Sequence, residues 1–159
     1  MILTVVALVI IDQSTKWCAV ATLGAGADIQ LWPNVFHLHY ISNYGAAWGI
    51  LSGKQGFLII LTSLITIGMM IYLWQLRKIK GQTGEKVALI LILSGAIGNL
   101  IDRIFLGYVR DFFYFALIDF PVFNVADMFV VIGVGLWMII LLFGDADKLK
   151  NKKEKRSVS

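Results

Sequence analysis

The chain has 159 residues, 58% of them hydrophobic and only 15% charged, with a mean hydropathy of +0.80 and a formal net charge of +4. A soluble domain carries roughly a quarter charged residues, so the composition excludes an ordinary soluble enzyme and indicates a single-domain integral membrane protein. The basic excess does not signal a nucleic-acid partner, because it gathers in two places and shows no basic-aromatic surface pattern.

Four segments are apolar enough to span a bilayer, at about 1–23, 56–76, 87–106 and 123–143. Each is near the roughly 20 residues that a spanning helix needs, and hydrocarbon requires each to satisfy its backbone internally. The first is interrupted by Asp12 and Lys16. Leu23-Gly24-Ala25-Gly26-Ala27 resembles a small-residue cleavage site. A cleavable apolar region is normally uncharged and preceded by Lys or Arg, however, so this segment reads as a retained span. The lone cysteine, Cys18, cannot form an intramolecular disulfide and reads as a small buried thiol.

The connection that follows is too apolar for a solvated tether. Ile29, Leu31, Trp32, Phe36, Leu38, Tyr40 and Ile41 fall within it, and Phe36-His37-Leu38-His39-Tyr40 alternates as a half-buried strand does. Trp32 and Tyr40 suit the bilayer interface. A small sheet on the outer membrane surface, over about 28–50, is expected. Asn43-Tyr44-Gly45 is a turn signal, and Gly45 can adopt positive φ.

The connection between the second and third segments holds Arg77, Lys78, Lys80 and Lys86, and the tail holds Lys148, Lys150, Lys152, Lys153, Lys155 and Arg156. The other two connections hold only Lys54 and Arg110. The positive-inside rule therefore predicts both termini in the cytoplasm. The tail, 145–159, is charge-dense, and disorder is expected there.

Depth can be counted at about 1.5 Å per residue. Asp12 and Lys16 then lie roughly 17 to 23 Å from the cytoplasmic end, Asn99 and Asp102 at roughly the same level, and Asn124 and Asp127 in the first two turns of the fourth segment. These groups converge in the outer half of the membrane. Asp12 and Lys16 are i, i+4, in the favourable order for a helical ion pair. Asn99 has Asp102 and Arg103 at i+3 and i+4, and Asn124 and Asp127 are i, i+3. Ser94, Gly95 and Gly98 would let helices approach closely. Asn124 can cap the fourth helix, whose dipole favours an anion at Asp127.

Charged groups inside a membrane are functional candidates by default. Asp12 with Lys16, and Asp102 with Arg103, read as structural pairs that neutralise each other. Asp111 and Asp127 have no basic partner at helical spacing, although Arg110 adjoins Asp111. Asp119, near Pro121, reads as solvated. His37 and His39 would point the same way on a strand, but no third metal ligand is evident, and they read as a polar face of the outer sheet. No Ser stands in a Ser-x-x-Lys pattern.

Two carboxylates brought close together cannot easily both ionise. They share one proton and their pKa values split. One can then activate a water while the other protonates a carbonyl oxygen or leaving amine, the aspartic protease pattern. A site at this depth suits a substrate that is itself a membrane segment, with Asn99, Asn124 and Arg103 orienting the carboxylates or holding substrate backbone.

Five stretches carry a resemblance: Asp12-Gln13-Ser14-Thr15-Lys16; Asn43-Tyr44-Gly45-Ala46-Ala47-Trp48-Gly49; Gly95 through Gly98-Asn99-Leu100-Ile101-Asp102-Arg103; Val109-Arg110-Asp111-Phe112; and Phe123-Asn124-Val125-Ala126-Asp127. In this order and on four spans, the chain resembles the signal peptidase II family, the bacterial lipoprotein signal peptidases. The resemblance implies a multi-pass enzyme of the bacterial inner membrane with an outer β-cradle, both termini cytoplasmic and the active site toward the extracytoplasmic side. It implies an aspartyl peptidase with Asp111 and Asp127 as the catalytic pair. Asp12, Lys16, Asn43, Gly45, Asn99, Asp102, Arg103 and Asn124 would support structure or contact substrate. The implied substrate is a prolipoprotein whose cysteine already carries diacylglycerol, cut just before that cysteine. Neither metal nor organic cofactor is implied. Membrane lipids and a globomycin-type inhibitor are the other implied partners, and the protein is expected to be a monomer.

Three positions depart from the family's pattern: Ser94, Arg110 and Met128. Arg110 matters most, because a cation facing Asp111 would favour its ionised form. Met128 would narrow the site. Two other functions fit intramembrane carboxylates. A proton- or cation-coupled carrier would place them near the midplane on an inverted repeat, which the sequence does not show. A scaffold would not need Asp111 and Asp127 as carboxylates.

Overall fold

The computed structural model describes residues 1–24, 26–46 and 50–157, with side chains as far as Phe143. Four long helices, α1 (Ile2–Leu23), α2 (Gln55–Leu76), α3 (Thr83–Leu106) and α4 (Val125–Ser157), alternate with three strands, β1 (Asp28–Trp32), β2 (Phe36–Asn43) and β3 (Val109–Tyr114). A short 3-10 helix, Ala116–Ile118, follows β3. All four helices are long and apolar enough to cross a membrane, α4 over Val125–Phe143. All four begin or end away from the expected limits, α1 by the single residue Met1. α2 starts one residue early, α3 takes in Thr83 and Gly84 before the apolar run, and α4 starts only after its cap at Asn124.

α3 is the hub, in contact with α1, α2, α4 and β3. Its small residues explain why. A Cβ on Gly95 would lie 2.2 Å from the Ala126 carbonyl oxygen, and one on Gly133 would lie 2.8 Å from that of Ala88. The two backbones therefore meet with no side chain between them, the way membrane helices associate without a hydrophobic drive. Leu73, Leu76, Leu89, Ile90 and Leu93 form one core cluster. A second, of Ala19, Leu23 and Phe112, with Leu38 and Tyr40 packed on it, ties α1 to the sheet.

The sheet has the order β1-β2-β3, antiparallel throughout. Pro33 and Asn34 turn the β1–β2 hairpin, with Asn34 at φ 58°, a left-handed conformation that Asn tolerates. Gly107, at φ 80°, stops α3 by donating its N–H to the Arg103 carbonyl, and the chain enters β3 two residues later.

Four expectations need correction. The sheet extends beyond 28–50, because 109–114 adds a third strand rather than a plain connection. Val109 through Phe112 are all buried, so no alternation marks them. Cys18 is exposed, on the outward face of α1; in lipid an apolar residue can face either way. The polar tail continues α4 as helix to Ser157, and its Ala, Leu, Lys and Glu are good helix formers uninterrupted by Pro or Gly after Gly144. Asp102 does not pair with Arg103; its partners are Lys16 and Arg110. Ala47, Trp48 and Gly49 of the second stretch lie outside the described residues.

Candidate active site

A buried ion cluster underlies the site. Asp12, Lys16 and Asp102 are fully buried. Lys16 Nζ lies 3.0 Å from Asp12 Oδ2 and 3.4 Å from Asp102 Oδ2. Arg110 completes the cluster, its Nη2 donating to Asp102 Oδ1 at 2.7 Å and its Nε to Oδ2 at 3.1 Å. Two cations thus balance two carboxylates, the condition under which buried charge is tolerated. Asp102 cannot meet Arg103 because adjacent residues on a helix point in different directions. Asp12 also accepts the Ala126 N–H at 2.9 Å, which places an anion on the N-terminus of α4.

Gln13 was not singled out by sequence and stands at the centre of this cluster. Its amide nitrogen lies 3.1 Å from Asp102 Oδ1 and 3.1 Å from the Gly98 carbonyl, and its oxygen accepts from Arg110 Nη2 at 2.7 Å. Its signals were a polar side chain inside an apolar span, beside Asp12, and a place in the Asp12–Lys16 stretch.

Three asparagines hold the two remaining carboxylates, and Asn99 ties them to this cluster. Lys16 donates to Asn99 Oδ1 at 2.9 Å, which turns the Asn99 amide nitrogen toward Asp127 Oδ1 at 2.7 Å. The Asn124 amide nitrogen reaches Asp111 Oδ1 at 2.6 Å and Asn99 Oδ1 at 3.0 Å. Asn43 donates to Asp111 Oδ2 at 2.8 Å, while its oxygen accepts the Gly45 N–H at 2.9 Å. Each amide has its oxygen held by a donor, so each nitrogen points where it does for a reason.

Strand register explains the placement of Asp111. Ile41 lies opposite Asp111 and Ser42 opposite Arg110. Asn43, two residues beyond Ile41, is on the same face as Asp111, whereas Arg110 is on the other face and turns to Asp102. The cation next to Asp111 in sequence therefore does not favour its ionised form. Burial first, and then the nearby Asp127 carboxylate, push Asp111 up to about 7. Asp127 is held at the start of α4 by a reciprocal cap. Its N–H donates to Asn124 Oδ1, and the Asn124 N–H donates to Asp127 Oδ2, each at 3.0 Å.

Both carboxylates line a cavity of about 610 Å³, together with Asn43, Asn99, Arg103 and apolar residues that include Phe115, Phe123 and Met128. Val131 and Ile132 line it too and are exposed on the α4 surface, so it opens sideways at membrane level. Arg103 donates to the Gly45 carbonyl at 3.2 Å, and its buried Nε has no partner among the described residues. Every site residue predicted from sequence is in one of these two tiers. Ser94 bonds the Ile90 carbonyl within α3, away from the cavity.

His37 and His39 are outside the site. Their Nδ1 atoms lie 3.3 and 3.6 Å from the Asp28 carboxylate. Asp119 is exposed and accepts from the Tyr114 hydroxyl at 2.7 Å. Among the described residues no group of three or more His, Cys, Asp or Glu is arranged to hold a metal ion.

Residues 4–143 match the family model described as signal peptidase (SPase) II. The chain is 44% identical to the lipoprotein signal peptidase of Halalkalibacterium halodurans over 161 aligned positions, covering 99% of this chain and 100% of that one. It is 43% identical to that of Brevibacillus brevis over 141, covering 89% and 93%. Among solved structures, a bacterial membrane enzyme determined by the in meso method at 2.3 Å superposes with a TM-score of 0.76 at 39% identity, over 92% of this chain and 89% of that one. With four helices long and apolar enough to span a membrane, a small three-stranded sheet and a family match over nearly its whole length, the chain belongs to the signal peptidase II family, the multi-pass membrane peptidases that remove signal peptides from prolipoproteins.

Proposed function

We propose that the chain is an aspartic endopeptidase in which Asp111 and Asp127 act as a pair on a prolipoprotein already carrying diacylglycerol, cutting just before the lipidated cysteine. One observation carries this reading: the buried Asp111 and the half-buried Asp127 line a single cavity that opens at membrane level. Asp127, which sits at a helix N-terminus whose dipole favours an anion, is the ionised member. Asp111 holds the proton below about pH 7. With Arg103, the protonated pair leaves the site electrically neutral.

In the reaction, Asp127 takes a proton from water as the water oxygen adds to the scissile carbonyl carbon. Asp111 gives its proton to the carbonyl oxygen. The tetrahedral adduct then collapses. The carbon–nitrogen bond breaks, Asp127 returns a proton to the leaving cysteine nitrogen, and the adduct hydroxyl restores the proton on Asp111. One water is consumed and the pair ends as it began. Arg103 lines the cavity as the cation that balances the pair, and the Asn99, Asn124 and Asn43 amides keep the carboxylates in place. Asp12, Lys16, Asp102 and Arg110 hold α1, α3, β3 and α4 in register beneath them.

The basic loop and tail support cytoplasmic termini, hence a site facing outward from the bacterial inner membrane. The protein acts as one integral membrane domain and as a monomer, with a globomycin-type cyclic peptide as competitor for the cavity. The test is cleavage of a diacylglyceryl-modified prolipoprotein by purified protein in detergent with a chelator present. Wild type cleaves, and Asp111→Asn and Asp127→Asn do not. Turnover by either variant at the wild-type rate would overturn the assignment.

A further inference from the structure

A second cavity, of about 390 Å³, adjoins the first and shares Asn43, Ala46, Phe120, Pro121 and Val122 with it. The two are neighbouring chambers that meet at Asn43, whose amide holds Asp111. They differ in origin. The inner chamber takes Asn99 and Arg103 from α3 and Asp127 through Ile132 from α4. Among the described residues, the outer chamber takes none from any of the four helices. Its remaining wall sets the polar groups of Ser42, Tyr44, Ser52, Tyr114 and Asp119 among Ile41 and Gly45. Asp119 is the one charged residue among those described there, exposed and oriented by the Tyr114 hydroxyl at 2.7 Å.

This division matches the substrate of the proposed reaction, on which the inference rests. Before the scissile bond is an apolar signal segment, and the cysteine just after it carries the acyl chains; both belong at membrane level. Beyond that cysteine is the rest of the mature chain, a polar peptide that must leave toward water. We propose that the outer chamber is a binding subsite for the first residues of the mature chain after the lipidated cysteine, and that Asp119 biases it toward segments bearing a basic side chain there.

The test uses the full-length protein in detergent and three diacylglyceryl-modified substrates that differ at one position within three residues after the cysteine, carrying Lys, Gln or Glu. Wild type should cleave the Lys substrate about two- to five-fold more efficiently than the Glu substrate, the range of an exposed ion pair. Added salt should narrow the gap. Asp119→Asn, which keeps an acceptor for Tyr114 and tolerates the φ of 47° at this position, should flatten it. Ser52→Lys, which leaves the Asp119 turn intact, should move the preference toward Glu. Equal cleavage of the three substrates by wild type, or a preference that neither variant shifts, overturns the subsite while leaving the peptidase in place. No cleavage of any substrate by folded wild type overturns the peptidase reading and the subsite with it.

Discussion

Arg110 grips Asp102 with two hydrogen bonds, Nη2 to Oδ1 at 2.7 Å and Nε to Oδ2 at 3.1 Å, and so fastens the residue before Asp111 to helix α3. The backbone N–H of Arg110 also donates to Asp102 Oδ2, at 3.0 Å. The start of β3 is therefore held to α3 through both side chain and backbone. Removing the guanidinium with Arg110→Gln would leave the buried Asp102 to share Lys16 with Asp12, and breaking a buried pair costs about 3–5 kcal/mol. Arg110→Lys keeps the charge and loses the fork, so it should fall between wild type and Arg110→Gln. Thermal unfolding in detergent should rank the three in that order. An Arg110→Gln protein as stable as wild type would show that the clamp contributes nothing.

The pH dependence follows from Asp111. Its folded value of about 7 is above the ordinary carboxylate value of 3.8. The folded state therefore binds the extra proton between about pH 4 and 7, and stability from this group falls as pH rises through that window. Asp111→Asn cannot titrate and should show a flatter stability profile, gaining on wild type as pH rises toward 8. Cleavage should decline on the alkaline side with a midpoint near 7, as the pair loses its shared proton. A wild-type rate that stays level from pH 6 to 9 would rule out Asp111 as the proton holder.

Asn99 offers a separate test, because it carries the influence of Lys16 to Asp127. Asn99→Ala removes the amide between them and leaves Lys16 to satisfy itself on Asp12 and Asp102. Losing a hydrogen bond to a charged group costs about 1.5–3 kcal/mol. If the bond persists in the transition state, cleavage should drop about ten- to a hundred-fold with the protein still folded. Asn99→Asp would add a third acid beside the pair, and should lower the rate most at alkaline pH. Rates within two-fold of wild type for both variants would remove Asn99 from the positioning scheme.

The parts of this architecture that sequence made legible are those that lipid enforces. The four spans could be read because hydrocarbon tolerates only closed backbone hydrogen bonding. The convergence of Asp12, Lys16, Asn99, Asp102, Asn124 and Asp127 followed from counting residues along them. The choice of partner within that level was not legible. Arg103 is next to Asp102 in sequence but faces the cavity, and Arg110 is next to Asp111 but is turned away from it by the alternation of β3. Nor could the inward faces be told from the outward ones. Cys18 and Trp17 are as apolar as their buried neighbour Ala19, yet both are exposed. In a membrane, burial no longer sorts residues by hydrophobicity.

The close approach of α3 to α4 yields the last prediction. Asp127 follows directly on Ala126, whose carbonyl oxygen would be 2.2 Å from a Cβ on Gly95, with Val130 Cγ2 at 2.7 Å. Backbone cannot yield as a flexible side chain does, so Gly95→Ala must push the two helices apart. Overpacking of this kind costs about 1–3 kcal/mol. It should also move Asp127 away from Asn99 on α3, and a misplacement of about 1 Å can cost 10²-fold in rate. Gly135 supplies the control. It is on α4, and a Cβ there would meet nothing within 4 Å, so Gly135→Ala should raise helix stability by up to about 1 kcal/mol and leave cleavage unchanged. Thermal unfolding and cleavage rate measured on both variants separate the two effects. If Gly95→Ala unfolds and cleaves like wild type, α3 and α4 are not held as closely as their glycines indicate, and the geometry assigned to Asp127 fails with them.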